Sequence, residues 1–160
     1  MLKDLIMALI ALFLSLLLVP GVGKLAIRIG AVDKPNARKV HTHIMPRMGG
    51  LAIYTSFFVV LFLSHSVTKE LLGLFLGGTV LVIVGIIDDM KDIPAKVKLC
   101  GQILAACIVV AFGVRVDFMT NIFHGDIFSL SIFSIPVTII WIVAIINAVN
   151  LIDGLDGLAA

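Results

Sequence analysis

Three groups of polar residues stand out in this sequence because their residue types are those that bind phosphates and metal ions. The first runs from Asp33 to Gly50, the second from Asp88 to Lys98 and the third from Asn147 to Leu158. Basic side chains attract phosphate, and carboxylates hold divalent cations that also bind substrate phosphates. Together the three groups predict chemistry on a phosphorylated substrate.

The first group supplies positive charge. Gly49 and Gly50 come directly before a long apolar stretch, so we expect backbone amides at the start of a helix, where phosphate can bind. Glycine would let such a ligand approach the backbone closely. A positively charged loop that only fixes membrane topology is the alternative. The candidate phosphate-binding residues are Arg38, Lys39, His41, Arg47, Gly49 and Gly50.

The second group supplies negative charge at the end of an apolar stretch. Asp92 lies four residues after Asp88 and three after Asp89, so the three carboxylates can project toward one region of a helix. Negative charge is unfavourable at a helix C-terminus, and a bound Mg2+ would relieve it. The group predicts a metal site, with a solvated helix end as the alternative. Lys98 adds a further candidate for binding phosphate.

The third group repeats polar residues every three positions, which places them along one slowly drifting helical stripe. Asparagines in an apolar span usually face a cavity or a partner. A glycine follows each aspartate and predicts that the helix unwinds there, although an isolated Asp-Gly pair would only make a turn. The polar residues are Asn147, Asn150, Asp153 and Asp156.

The elements that must position these groups are membrane-spanning helices. Of the 160 residues, 61% are hydrophobic and 14% charged, and the mean hydropathy is +1.20. A soluble domain of this length has too little interior to bury so many apolar side chains. The net charge of +2 is too small to indicate a nucleic-acid partner. We therefore expect an all-α integral membrane protein.

Five stretches without charged residues predict five transmembrane helices. Pro20 and Gly21 indicate the end of the first one. Nine of the twelve Lys and Arg residues then fall on one side, which predicts that this side is cytoplasmic and that the N-terminus lies outside. A short external hairpin is expected between Arg115 and Ser131. The predicted spans are 5–23, 48–67, 71–87, 97–114 and 132–152, and the predicted cytoplasmic segments are 24–47, 88–96 and 153–160.

This topology brings all three polar groups to the cytoplasmic face, where they could form one site. A nucleoside diphosphate compound reacting with a lipid is the expected substrate pair, because the polar groups meet the bilayer there. A transporter is an alternative, but its charges would lie nearer the middle of the membrane.

The three motifs resemble those of the polyprenyl-phosphate N-acetylhexosamine-1-phosphate transferases. The matching stretches are DKPNARKVHTHIMPRMGG, DDMKD with the following Lys and Gln102, and NAVNLIDGLDGLAA. The segment HIMPRMGG is more similar to the GlcNAc-1-phosphate transferases than to the phospho-MurNAc-pentapeptide translocases, which stay an alternative. An intramembrane prenyltransferase is a further alternative, but it would not call for the third motif or for the basic loop.

The resemblance implies transfer of a sugar 1-phosphate from a UDP-N-acetylhexosamine to undecaprenyl phosphate, with release of UMP, at the bacterial cytoplasmic (inner) membrane. It implies that Asp88 and Asp89 bind metal or deprotonate the lipid phosphate, that Asp153 and Asp156 position or activate the reacting groups, and that Asn150 supports them. The cofactor would be Mg2+, or Mn2+ in its place, and a homo-oligomer is left open. The implied metal ligands are Asp88, Asp89, Asp92 and Asp153.

Members of this family have ten or more spans and a further cytoplasmic loop that carries histidine. The resemblance therefore implies that these 160 residues form the N-terminal half of the enzyme and are inactive alone.

Overall fold

The computed structural model describes residues 2–33, 45–64, 66–120 and 126–152. Five α-helices and two pairs of very short strands make up the described chain. In order these are α1 (Leu2–Ile29), β1 (Val32–Asp33), β2 (Met45–Pro46), α2 (Gly49–Ser64), α3 (Lys69–Lys91), α4 (Ala95–Ala111), β3 (Phe118–Thr120), β4 (Ile127–Ser129), a 3-10 turn (Ser131–Phe133) and α5 (Ser134–Ile152).

The helices carry the apolar surface that a membrane protein requires. Three helical segments, Leu2–Ile29, Lys69–Lys91 and Ser131–Leu151, are long and apolar enough to cross a membrane, and α2 is a shorter apolar helix. Large apolar side chains are widely exposed on them, including Leu17 and Leu63, as expected of surfaces that face lipid. The predicted all-α membrane class is confirmed. Each predicted span overlaps one observed helix, whereas the number of crossings and their direction stay predictions.

The described chain forms two compact units. One contains Met1–Val67 and Leu81–Pro94, and the other contains Thr68–Val80 and Ala95–Ala160, so that the boundary falls inside α3. Below they are called the α1–α2 unit and the α4–α5 unit.

In the α1–α2 unit, α1 continues well beyond its predicted end. It passes through Pro20 and stops at Ile29, so the prediction that it ends near Pro20 and Gly21 is wrong. Proline removes one backbone donor without breaking an apolar helix that is otherwise hydrogen-bonded. The true stop is Gly30, whose φ of 80° is left-handed.

The end of α1 is a Schellman motif. Ala31 donates its N–H to the Ala26 carbonyl at 2.9 Å, and Gly30 donates to the Ile27 carbonyl at 3.4 Å. Ala26 and Ala31 are both fully buried and pack with Met48, which comes just before α2. The strands β1 and β2 then pair antiparallel, and the Arg47 N–H donates to the Ala31 carbonyl at 3.1 Å. The start of α2 is thereby held against the end of α1.

In the α4–α5 unit, glycines bring the first half of α3 close to α4. A Cβ atom added to Gly73 would overlap the Phe112 side chain, and one added to Gly77 would lie 2.6 Å from Val109 Cγ2. Small residues four positions apart allow helix backbones to approach closely in membranes.

Hydroxyl groups fasten the start of α5 to the chain that follows α4. Thr138 Oγ1 accepts the Val116 N–H at 2.9 Å, and Ser134 Oγ donates to Asp117 Oδ1 at 2.9 Å. In the segment between α4 and α5, β3 and β4 pair antiparallel, where the hairpin was predicted. That this strand pair lies on the external side of the membrane stays a prediction.

Candidate functional site

The structure describes eight of the thirteen residues predicted for the site. The α1–α2 unit holds Arg47, Gly49, Gly50, Asp88, Asp89 and Asp92, and the α4–α5 unit holds Lys98 and Asn150. Five predicted residues lie outside the described part of the chain: Arg38, Lys39, His41, Asp153 and Asp156.

The start of α2 is open on the side of its glycines. Gly49 and Gly50 are exposed, and no heavy atom lies within 4 Å of a Cβ atom built on either. Met48, by contrast, is buried and anchors the turn that precedes them. The Gly49 and Leu51 N–H groups already donate to the Arg47 and Met48 carbonyls, so the exposed backbone at Gly49 and Gly50 offers room for a ligand rather than a full set of first-turn donors.

Asp88 has a local structural partner at the end of α3. Asp92 donates the last helical N–H bond, to the Asp88 carbonyl at 2.8 Å, and its left-handed φ of 45° ends the helix. The next N–H, that of Ile93, donates to Asp88 Oδ1 at 3.1 Å. The carboxylate thus supplies an acceptor for an N–H group just past the helix, and Pro94 follows where the helix cannot continue.

Arg47 links the start of α2 to the end of α3. Its guanidinium Nη1 lies 3.5 Å from Asp92 Oδ1. The Asp92 side chain is 92% exposed and that of Arg47 35%, so solvent screens the pair and it contributes well under about 1 kcal/mol. The contact matters because it places a cation beside the carboxylates of the second polar group.

A cavity of about 280 Å³ lies between the start of α2 and the last turns of α3. Arg47 and Asp89 supply its charged groups, and Gly50 and Gly85 contribute backbone to its wall. The other lining residues are apolar: Met48, Leu51, Leu81, Val82 and Ile86. A cavity with apolar walls and charged groups suits an amphipathic ligand with a phosphorylated head.

The three carboxylates of the second group have different surroundings. Asp88 accepts a backbone N–H, Asp92 faces Arg47, and Asp89 lines the cavity. Within 2–33, 45–64, 66–120 and 126–152, no three His, Cys, Asp or Glu side chains converge as a metal-binding group. The proposed fourth ligand, Asp153, lies outside those ranges, so the predicted metal site stays a prediction.

The α4–α5 unit contains a pair of amides, Gln102 and Asn147, that belong to the second and third motifs but were not among the thirteen residues predicted for the site. Asn147 Nδ2 donates to Gln102 Oε1 at 2.6 Å, and Gln102 Nε2 faces Asn147 Oδ1 at 3.5 Å. Gln102 is only 5% exposed. Asn147 therefore has the partner that a polar residue in an apolar span requires, and such an interhelical bond contributes roughly 0.6–2 kcal/mol. Both residues were singled out in the sequence, Asn147 in the third polar group and Gln102 beside the second motif, but no signal indicated that they form a pair.

Comparison with known proteins identifies the family. The model of "Glycosyl transferase family 4" matches residues 71–160, which is more than half of the chain. The chain belongs to glycosyl transferase family 4. The resemblance drawn from the three motifs is confirmed. The matched region includes the second and third polar groups.

Several bacterial members of the family are similar over most of this chain. A "Probable undecaprenyl-phosphate N-acetylglucosaminyl 1-phosphate transferase" of Bacillus subtilis is 41% identical over 100% of the chain and 45% of its own length. A "Decaprenyl-phosphate N-acetylglucosaminephosphotransferase" of Mycobacterium leprae is 38% identical over 87% of the chain and 38% of its length. The Escherichia coli K12 "Undecaprenyl-phosphate alpha-N-acetylglucosaminyl 1-phosphate transferase" is 34% identical over 84% and 37%.

The chain therefore spans less than half of the length of these relatives. No solved structure shows significant similarity to it.

Proposed function

We propose that this chain contributes to an enzyme that transfers GlcNAc 1-phosphate from UDP-GlcNAc to undecaprenyl phosphate, releasing UMP, at the cytoplasmic face of the bacterial inner membrane. The names of all three relatives support a polyprenyl phosphate acceptor and N-acetylglucosamine as the sugar, and two of them name undecaprenyl phosphate. The charge distribution along the sequence supports the cytoplasmic side.

The cavity between α2 and α3 is the structural observation that carries the proposal. It combines an apolar wall with Arg47 and Asp89, and the open start of α2 is next to it. A polyprenyl phosphate or a sugar diphosphate brings a phosphate to an apolar boundary, where a guanidinium and the positive end of a helix dipole can hold it. Asp89 would then lie beside the phosphate oxygens, where it could accept a proton or help to hold a metal ion.

The carboxylates suit Mg2+ chemically. Mg2+ in phosphoryl-transfer enzymes is commonly held by one or two carboxylates together with substrate phosphates, so a site of this kind does not require three converging side chains. Asp88 and Asp89 would hold the ion, and Asp92 and Asp153 remain candidate ligands. When bound, Mg2+ would neutralise charge on the diphosphate during transfer.

The reaction follows from the groups that are exchanged. An oxygen of the lipid phosphate forms a bond to the phosphorus that carries the sugar, and the bond from that phosphorus to the oxygen of UMP breaks. The proposed role of Arg47 is to hold a phosphate, and that of Asp89 is to accept a proton or to bind the metal. Positioning and charge neutralisation would supply most of the catalysis.

The test is a transfer assay with the complete gene product in membranes, UDP-GlcNAc labelled in the sugar, and undecaprenyl phosphate. The expected result is labelled lipid together with an equal amount of UMP. Asp89→Asn should lower the rate by about 10²- to 10³-fold. The matched control is Asp126→Asn, which removes an exposed carboxylate outside the three polar groups. Absence of UMP release from the folded, unsubstituted protein would refute the proposal.

A further inference from the structure

The amide pair between α4 and α5 is built to fix one arrangement of these helices. The Asn147 amide donates to Gln102 Oε1 and also to the Val143 carbonyl of its own helix, at 2.8 Å. Both N–H groups of Asn147 are therefore used, and its side chain can point in only one direction. Gln102, almost completely buried, receives the bond; the other buried residues of α4 are Ala105, Ala106, Val109 and Val110, all apolar.

A buried hydrogen bond of this kind sets register as well as adding stability. Sliding α5 by one helical turn along α4 would move the amides about 5.4 Å apart and leave both unpaired in an apolar interface. Contacts between apolar side chains would tolerate such a shift far better, because they have no direction. The pair thus specifies the axial position and rotation of the helices at this end, whereas the Thr138 and Ser134 hydroxyls fasten the opposite end.

Two candidate substrate-binding residues lie one turn away from the pair. Gln102 contacts Asn147, whereas Val116, beyond the other end of α4, contacts Thr138 near the start of α5, so the helices run antiparallel. Lys98 lies four residues before Gln102, and Asn150 three residues after Asn147. In antiparallel helices both steps lead toward the same end of the unit.

We propose that Gln102 and Asn147 are positioning residues, which hold Lys98 and the Asn150 end of α5 in the arrangement that the transfer reaction needs. This inference rests on the proposed function. The pair does not itself contact the reacting atoms; it fixes the two helices whose ends carry groups that would. A small displacement of such groups lowers the rate of reaction more than the binding of substrate.

The test compares three variants of the complete gene product, each assayed for kcat, for KM toward UDP-GlcNAc and for thermal unfolding. The apolar variant combines Gln102→Met with Asn147→Leu, which removes the hydrogen bonds without leaving an unpaired amide. The exchange variant combines Gln102→Asn with Asn147→Gln. It keeps both amides and the total number of methylene groups in the two side chains. Thr138→Val is the control, because it removes a buried hydroxyl from the opposite end of the same helix pair.

For the apolar variant, kcat should fall about 10- to 100-fold with KM changed by less than about threefold. The exchange variant should recover kcat to within about fivefold of the unsubstituted enzyme. Thr138→Val should lower the unfolding temperature and leave kcat unchanged.

The possible failures are distinguishable. An unsubstituted enzyme that releases no UMP overturns the proposed function and this inference with it. An active enzyme whose apolar variant has normal kcat overturns the positioning role alone. The same holds if the exchange variant gives no recovery, or if Thr138→Val lowers kcat as much as the apolar variant does, because either result would indicate a general effect of stability.

Discussion

Replacing Gly77 by alanine tests how tightly α3 and α4 pack. A Cβ atom at this position would lie 2.6 Å from Val109 Cγ2 and 3.0 Å from the Ala105 carbonyl oxygen. Val109 would have to retreat by about 0.8 Å, the difference between 2.6 Å and the 3.4 Å at which ordinary contact begins. The Ala105 oxygen belongs to the α4 backbone, so its share of the shift requires the helix itself to move.

Two opposing effects set the size of the change. Overpacking of a close interface costs about 1–3 kcal/mol. Alanine is favoured over glycine inside a helix by about 1 kcal/mol, which offsets part of that cost. Gly85→Ala is the matched control, because Gly85 is also inside α3 but has no atom within 4 Å of an added Cβ. The helix preference is common to both, so their difference of about 1–3 kcal/mol measures the packing alone.

The measurement is thermal unfolding of the purified protein in detergent without substrate. Gly85→Ala should raise the midpoint, whereas Gly77→Ala should lie about 2–12 °C below it, at roughly 2–4 °C for each kcal/mol. Equal midpoints, or a higher one for Gly77→Ala, would show that α3 and α4 do not approach each other as closely as the structure has them.

Three further predictions concern the α1–α2 unit. Asp92→Asn should lower the free energy of unfolding by less than about 1 kcal/mol in a denaturant titration, because its pairing with Arg47 is exposed; a larger loss would contradict the screened pair. Gly85→Leu should lower the affinity for a phosphorylated lipid by about tenfold or more without lowering the unfolding midpoint, since the new side chain would enter the cavity. Binding that is unchanged would remove the cavity from the site. Gly30→Ala should destabilise the protein by about 1–2 kcal/mol because of its left-handed φ, and Gly30→Asn should cost less; equal unfolding midpoints for the two would argue against that conformation.

The helices of this protein follow closely from hydropathy, whereas their ends depend on local bonds. A run without charged residues identifies each helix, because burying an unpaired charge in lipid is costly. The end of α1 was predicted too early because proline interrupts an apolar helix less readily than it interrupts a helix exposed to water. Gly30, which does end it, is followed by an alanine whose buried contact with Ala26 cannot be read from the sequence. The two-residue pairing of β1 with β2 also has no local sequence signal.

In the candidate site, the residue types could be predicted from the sequence, whereas their hydrogen-bond partners could not. The end of the apolar stretch predicted that Asp88, Asp89 and Asp92 lie at the end of a helix, and α3 does end beside them. It could not predict that Asp88 accepts the Ile93 N–H or that Asp92 faces Arg47, because these partners depend on how α3 ends. Gln102 and Asn147 are 45 residues apart in the sequence, and only the packing of α4 on α5 brings them together.

The amide pair also has an evolutionary consequence. Losing either Gln102 or Asn147 alone leaves a polar group unpaired between two apolar helices, whereas changing both together does not. A lineage that alters this contact must therefore pass through a less fit intermediate or change both positions at nearly the same time. Positions 102 and 147 should consequently vary as a pair among homologues. Homologues that keep both amides should also keep the same register between α4 and α5.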